Sequence, residues 1–262
     1  MDDASVSIAR ARIVAWRDTL RGTPGLAEAE RLRDSVVDPA TASVEEVWRA
    51  LWDKPLYAYT RVEVAERGIA ALEPWMPGAW EHIGRDPAVL LISYERRSGK
   101  DVYSGEGHLL AKARTNPLIG LHRLYRIQSG AAVLRDWARR YGETPARHLA
   151  GEPLRILVPQ LKSELGRGWG HITVLHLLTD LGIAVKPDLH LARAVRELGL
   201  CDPKVGRVPS LSQAIRINEA VAALAGAFGE GPQALRYTDK VLMEASRQRL
   251  FADDVRHERE VA

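Results

Sequence analysis

Apolar side chains in this sequence recur at three- and four-residue spacing almost throughout, and strict alternation over the length of a strand is nearly absent. Such spacing lays an apolar stripe along one face of a helix, and that face needs a neighbour to bury it. The pattern predicts an all-α fold. Helix-start signals agree: Ser43 precedes Glu46 by three residues, and Ser210 precedes Gln213 likewise, each fitting a capping box ahead of an apolar run. Prolines and glycines, among them Pro74, Pro87, Pro117, Gly130, Pro145, Pro153, Gly182, Pro187 and Pro209, cut the chain into about a dozen helical pieces. There is no internal repeat and no low-complexity linker.

At 262 residues the chain is long enough to bury a core without covalent staples. Its single cysteine, Cys201, excludes a disulfide within the chain and any cluster held by four thiolates, which suits a reducing compartment. The start, Met1-Asp2-Asp3, is acidic, and runs such as Ala88-Val-Leu-Leu-Ile-Ser93 are too short to cross a bilayer. The expectation is a cytoplasmic monomer with no membrane contact. Six of the seven tryptophans (Trp16, Trp48, Trp52, Trp75, Trp80 and Trp137) precede the segment described next. Most are expected in the core, leaving a minority to line a base-sized pocket.

The formal net charge is only +3, but the basic residues are unevenly placed. No acid occurs between Glu106 and Asp136, where Lys112, Arg114, Arg123, Arg126 and Arg135 stand with His108 and His122. A second acid-free stretch, from Pro203 to Asn218, holds Lys204, Arg207 and Arg216. Guanidinium forks suit phosphate oxygens, so a local surplus fits a polyanionic partner. It also fits ordinary solvated helix faces.

The most informative segment runs from Leu154 to Arg193. It reads as a helix ending at Leu165, a glycine hairpin (Gly166-Arg-Gly168-Trp169-Gly170), a second helix opening at His171, a short extended return, and a third helix beginning at Asp188. Gly168 and Gly170 allow the chain to reverse tightly and leave backbone amides at the head of the following helix, an arrangement that receives an anion. A duplex phosphate held there would be bound without sequence preference. A glycine-rich helix end is the plain alternative. Asp188 follows Pro187 at an N-cap position. Capping is a common use of aspartate, but a carboxylate kept ionised by a helix dipole also suits stabilising a sugar cation or activating a water. His190 and Arg193, on the first turns of that helix, are placed to meet phosphates, and Lys186 lies just ahead of the carboxylate.

The order of hairpin glycines, apolar helix and Ala184-Val-Lys-Pro-Asp188-Leu-His190-Leu-Ala-Arg193, followed by Arg196-Glu-Leu-Gly-Leu200, resembles the helix-hairpin-helix DNA glycosylase superfamily, endonuclease III-like and 8-oxoguanine glycosylase-like. The resemblance covers roughly residues 154 to 200, with a weaker echo in Leu235-Arg-Tyr-Thr-Asp-Lys240. It implies a two-lobed all-α fold with the DNA cleft between the lobes, base flipping and cleavage of an N-glycosidic bond. An N-terminal lobe, residues 1–100, would be completed by 187–262, which carry the catalytic aspartate's helix. Residues 101–186 would form a helical barrel lobe ending in the hairpin. By the resemblance Asp188 is the catalytic carboxylate, Gly168, Trp169, Gly170 and His171 form the DNA-binding hairpin, and Lys186, His190 and Arg193 contact double-stranded DNA.

The departures from the family pattern carry their own expectations. Members that also cut the strand place a lysine soon after the second hairpin glycine, whereas His171, Ile172 and Thr173 stand here. Hydrolysis leaving an abasic site is therefore favoured, with Lys186 the first suspect for any amine nucleophile. One cysteine cannot support the iron–sulfur cluster of endonuclease III-like members, so no cofactor is expected. No metal is expected either, since His171 has no second ligand at i+3 or i+4. The segment before the hairpin, which builds the base pocket in this superfamily, matches no known pattern. Oxidised or alkylated bases in repair and a glucosylated hydroxymethylcytosine in anti-phage defence stay open. So do a non-catalytic helix-hairpin-helix module and a helical regulator whose hairpin is coincidental.

Overall fold

The computed structural model describes residues 2–58, 60–114, 119–204 and 208–251. The chain opens with α1 (Asp3–Thr19) and α2 (Pro24–Asp34), followed by α3 (Val44–Trp52), α4 (Lys54–Tyr57) and α5 (Val62–Leu72). Strands β1 (Leu91–Arg97) and β2 (Lys100–Glu106) precede α6 (His108–Arg114), α7 (Leu121–Tyr141) and α8 (Leu154–Leu165). The chain continues through α9 (His171–Asp180), α10 (Leu189–Glu197), α11 (Leu211–Ala225) and α12 (Gly231–Arg247).

Helix dominates, as the apolar spacing requires. Both expected capping boxes form: the Ser43 hydroxyl accepts from the Glu46 amide at 3.3 Å while the Glu46 carboxylate accepts from the Ser43 amide at 2.8 Å, and Ser210 and Gln213 repeat the arrangement ahead of α11. One departure from an all-α chain is the antiparallel hairpin of β1 and β2, in register from Leu91 opposite Glu106 to Arg97 opposite Lys100. Its turn is Ser98-Gly99, with φ +49° and +78°, the twin positive values that a two-residue hairpin loop favours. The alternation that marks a half-buried strand is missing from the sequence because only Ile92 of β1 is buried; the paired Tyr94 and Tyr103 pack beside Tyr125 of α7 instead.

The contacts divide the chain into two units. A terminal unit contains the residues up to Asp38 together with those from Leu178 onward, and a central unit contains Pro39–Leu177. The sequence reading set its boundaries at 100/101 and 186/187; the contacts set them at 38/39 and 177/178. The reason lies in the helix partners. α3, α4 and the strands all pack on α7, which ties the segment from Pro39 to the hairpin, while α2 packs on α12 and ties the first two helices to the last.

The terminal core is built from Ile13, Trp16 and Leu20 of α1, Leu191 and Val195 of α10, Ile217, Val221 and Leu224 of α11, and Val241 and Leu242 of α12. Trp48, Leu51, Leu124, Ile127, Leu134 and Trp137 are among the buried side chains of the central unit. Four of the six early tryptophans (Trp16, Trp48, Trp52 and Trp137) are buried, Trp80 is half-buried, and Trp75 is exposed under the Lys112 ammonium, 4.7 Å from its ring centroid. Among the described residues no helix is long and apolar enough to cross a membrane.

Candidate functional site

The segment singled out from sequence folds as read: α8 ends at Leu165, the glycine hairpin follows, α9 opens at His171, and α10 opens after Asp188. The hairpin belongs to the central unit and Asp188 to the terminal unit, so each is described by itself.

In the hairpin, Gly166 closes α8 with its amide on the Lys162 carbonyl at 3.1 Å, and the Trp169 amide returns to the Gly166 carbonyl at 3.2 Å. Gly168 has φ +90°, a backbone conformation that favours glycine, and a Cβ there would displace the end of the Arg126 side chain. Gly170 differs. Its φ is not in the left-handed region, and a Cβ built on it meets no atom within 4 Å, so nothing in the fold requires glycine and its outward side is open. The first intrahelical bond of α9 runs from the Val174 amide to the Gly170 carbonyl at 3.0 Å, which puts Gly170 at the N-cap with the opening amides of the helix after it. His171 is half-buried at that first turn.

Trp169 requires a correction. Grouped with the DNA-contacting residues by sequence, its side chain is only 1 % exposed and donates from Nε1 to the Ser129 hydroxyl at 3.2 Å and to the Arg126 carbonyl at 3.3 Å. Its indole anchors the hairpin to α7 and is not available to a duplex.

The acid-free stretch on α6 and α7 also divides. Arg135 donates to the carbonyls of Trp80 and, at 2.9 Å, Ile83; Arg123 donates to the Thr60 hydroxyl and, at 3.4 Å, to the Ala58 carbonyl. Both guanidiniums are thus used to satisfy chain carbonyls rather than to face a polyanion. Burial, with Arg126 and Arg123 nearby, pushes the His122 imidazole below its ordinary value, so it adds no charge near pH 7. Arg126 remains against the hairpin. In the second acid-free stretch Arg207 lies outside the described residues, and the side chain of Arg114 does likewise for the first.

In the terminal unit, Asp188 caps α10 with φ −117° and ψ −175°. Its Oδ1 accepts from the His190 amide at 2.8 Å and the Leu191 amide at 2.9 Å. Among the described residues Oδ2 receives no hydrogen bond. One oxygen therefore fixes the carboxylate while the other is left to act. The half-buried Lys186 lies two residues earlier, and Arg193 is exposed on α10.

His190 is half-buried beside the same cap. Its amide is committed to Asp188, and its Nδ1 lies 3.3 Å from the Ser246 hydroxyl of α12, a residue that is itself buried. Through these two groups it supports the cap and α12.

Sequence reading missed the residue that holds the return loop. Asn218 of α11, 4 % exposed, accepts from the Val185 amide at 2.7 Å and donates to the Val185 carbonyl at 3.1 Å and the Ala214 carbonyl at 2.9 Å. It acts as a strand partner would, three residues ahead of Asp188. The available signal was a polar residue beside Ile217 on the otherwise apolar face of α11 that includes Ala214 and Val221. The weaker echo on α12 has a structural use: Arg236 bonds to Asp239 at 3.1 Å and to Asp180, in the last turn of α9, at 3.3 Å.

Among the described residues no group of three or more His, Cys, Asp or Glu side chains is placed to hold a metal ion. Cys201 is a half-buried free thiol whose pKa is pushed up by burial. Compared with known proteins, the chain matches no family model, and no curated protein or solved structure matches it.

Proposed function

We propose that this protein is a DNA N-glycosylase that extrudes a damaged or modified base from duplex DNA and hydrolyses its glycosidic bond. The observation that carries the reading is the cap at Asp188: a carboxylate held by two backbone amides through one oxygen, with the other unengaged among the described residues. A hairpin with an open Gly170 at the head of α9, and a unit assembled from both ends of the chain, support the same reading.

In this mechanism the hairpin amides hold a phosphate, and the bond between C1′ and the base nitrogen breaks with its electron pair leaving on the base. The sugar acquires oxocarbenium character, which the Asp188 carboxylate stabilises electrostatically. Water then adds to C1′, its proton passing to Asp188, and an abasic site remains. A flipped base is exposed only at an energetic cost that a weakened or mismatched pair lowers, which favours damaged over normal bases.

The test is base release from duplexes carrying oxidised, alkylated, deaminated and glucosylated bases, with heat or alkali revealing abasic sites. Release from one class establishes the activity. Silence across all of them, with tight salt-dependent binding retained, would instead assign a non-catalytic DNA-binding module.

Gly170→Arg checks the DNA-binding half. A Cβ at this position meets no atom of the fold within 4 Å, and the added positive charge should by itself strengthen binding. It is nevertheless expected to weaken binding about tenfold or more by occupying the space in front of the amides, since phosphate contacts of this kind set the docking register. Fluorescence anisotropy with a labelled duplex reads the change, and undiminished affinity would remove the hairpin from the interface. A further expectation concerns the nucleophile: sodium borohydride should trap no covalent protein–DNA adduct, because water attacks C1′. A trapped adduct lost on Lys186→Gln would make that lysine the nucleophile.

A further inference from the structure

The hairpin loop is gripped on two sides. Trp169 ties it to α7, and on the other side Arg167, between Gly166 and Gly168, reaches the β-hairpin. Its guanidinium forms an ion pair with Asp101 and lies 5.0 Å over the Tyr94 ring. Asp101 Oδ2 takes Arg167 while Oδ1 accepts from the Tyr94 hydroxyl at 3.1 Å. Tyr94, Tyr103 and Tyr125 form a cluster with ring centroids 5.2 to 5.7 Å apart, which seats this patch on α7. Arg167 holds the Asp101 carboxyl below its ordinary value, so the pair is ionised near neutral pH.

On charge alone this is the wrong place for a carboxylate. A negative side chain next to a loop that receives phosphate opposes binding, and its pairing removes Arg167 from the cations available to the duplex. The loop supplies the compensating reason. Gly166 and Gly168, with φ +76° and +90°, flank Arg167, which is the loop's side-chain link to the β-hairpin as Trp169 is its link to α7.

We infer that Asp101 is a positioning residue for DNA: by clamping Arg167 it holds the amides around Gly170 in the geometry that accepts a phosphate. The inference rests on the DNA reading above and goes beyond it, because it assigns the β-hairpin a part in binding and predicts a sign that electrostatics alone would reverse.

The experiment compares wild type, Asp101→Asn, Asp101→Glu and Arg167→Gln by anisotropy with a labelled duplex across a NaCl series, with thermal melts of each protein. Asp101→Asn removes a negative charge yet is expected to weaken binding by up to about fivefold, the scale of an exposed ion pair, with the salt slope unchanged. Arg167→Gln should weaken it similarly, and Asp101→Glu should recover part of the loss by restoring the carboxylate. Unchanged or tighter binding by Asp101→Asn, or a slope steeper by about one as a released Arg167 takes up a phosphate, would overturn the inference. A loss that tracks a reduced folded fraction at the assay temperature would likewise overturn it, assigning Asp101 to stability. Absence of binding by wild type defeats the DNA reading itself, and that isotherm shows it separately.

Discussion

Asp188→Asn is expected to lower base release by about a thousandfold or more while the protein stays folded and binds DNA as before. The substitution is selective because of how the carboxylate is used. Asparagine keeps an Oδ1 for the two amides of His190 and Leu191 and is as good an N-cap as aspartate, so α10 starts normally. What disappears is the negative charge of the carboxylate, whose Oδ2 receives no hydrogen bond among the described residues. Removal of the whole side chain would mix the two roles, since a lost cap costs about 1 kcal/mol by itself. Abasic-site formation measured on whichever duplex of the panel releases base, with anisotropy on the same duplex, reads the two properties apart. An asparagine variant that still releases base would end the catalytic assignment.

Asn218→Ala is expected to be the most destabilising single truncation near the site, at about 3 kcal/mol. Three hydrogen bonds are lost, and the amide and carbonyl of Val185, a fully buried residue, are left without their partner. A buried backbone group that loses its bond costs far more than the bond's net worth, because its unfolded counterpart is solvated by water. Val185 lies three residues before Asp188, so the damage is expected to reach the carboxylate as well. Chemical denaturation reads the first effect, and base release measured where the variant is still folded reads the second. A variant with wild-type stability would mean that the return loop is held by its apolar neighbours instead.

Much of this architecture is legible along the chain. The capping boxes at Ser43 and Ser210, the glycine hairpin, the apolar face of α9 and the cap at Asp188 are all local: each depends on residues within a turn or two of one another. Local rules suffice where the partner is the next turn of the same helix. Exposure is not local, and there the reading failed. Trp169 occupies the middle of a hairpin that resembles a DNA anchor, yet it is buried because α7 passes behind it. Arg123 and Arg135, which the sequence leaves open between polyanion contacts and solvated helix faces, donate to the Thr60 hydroxyl and to carbonyls of the chain itself. The β-hairpin escaped notice because its strands expose nearly everything except Ile92 and rely on tyrosines packed against α7, which leaves no alternating apolar pattern to find.

By itself, then, the sequence determined that the chain is mostly helical, where several helices begin, and that one aspartate stands at the head of a helix beyond a glycine hairpin. Periodicity and capping are properties of the chain within reach of itself. Only the tertiary structure decided which helices share a core, that the first two belong with the last three, that Asn218 holds the loop before Asp188, and that Asp101 grips Arg167. Those pairings join residues far apart in sequence, and a hydrogen bond or an ion pair between such residues exists only once packing has brought them together.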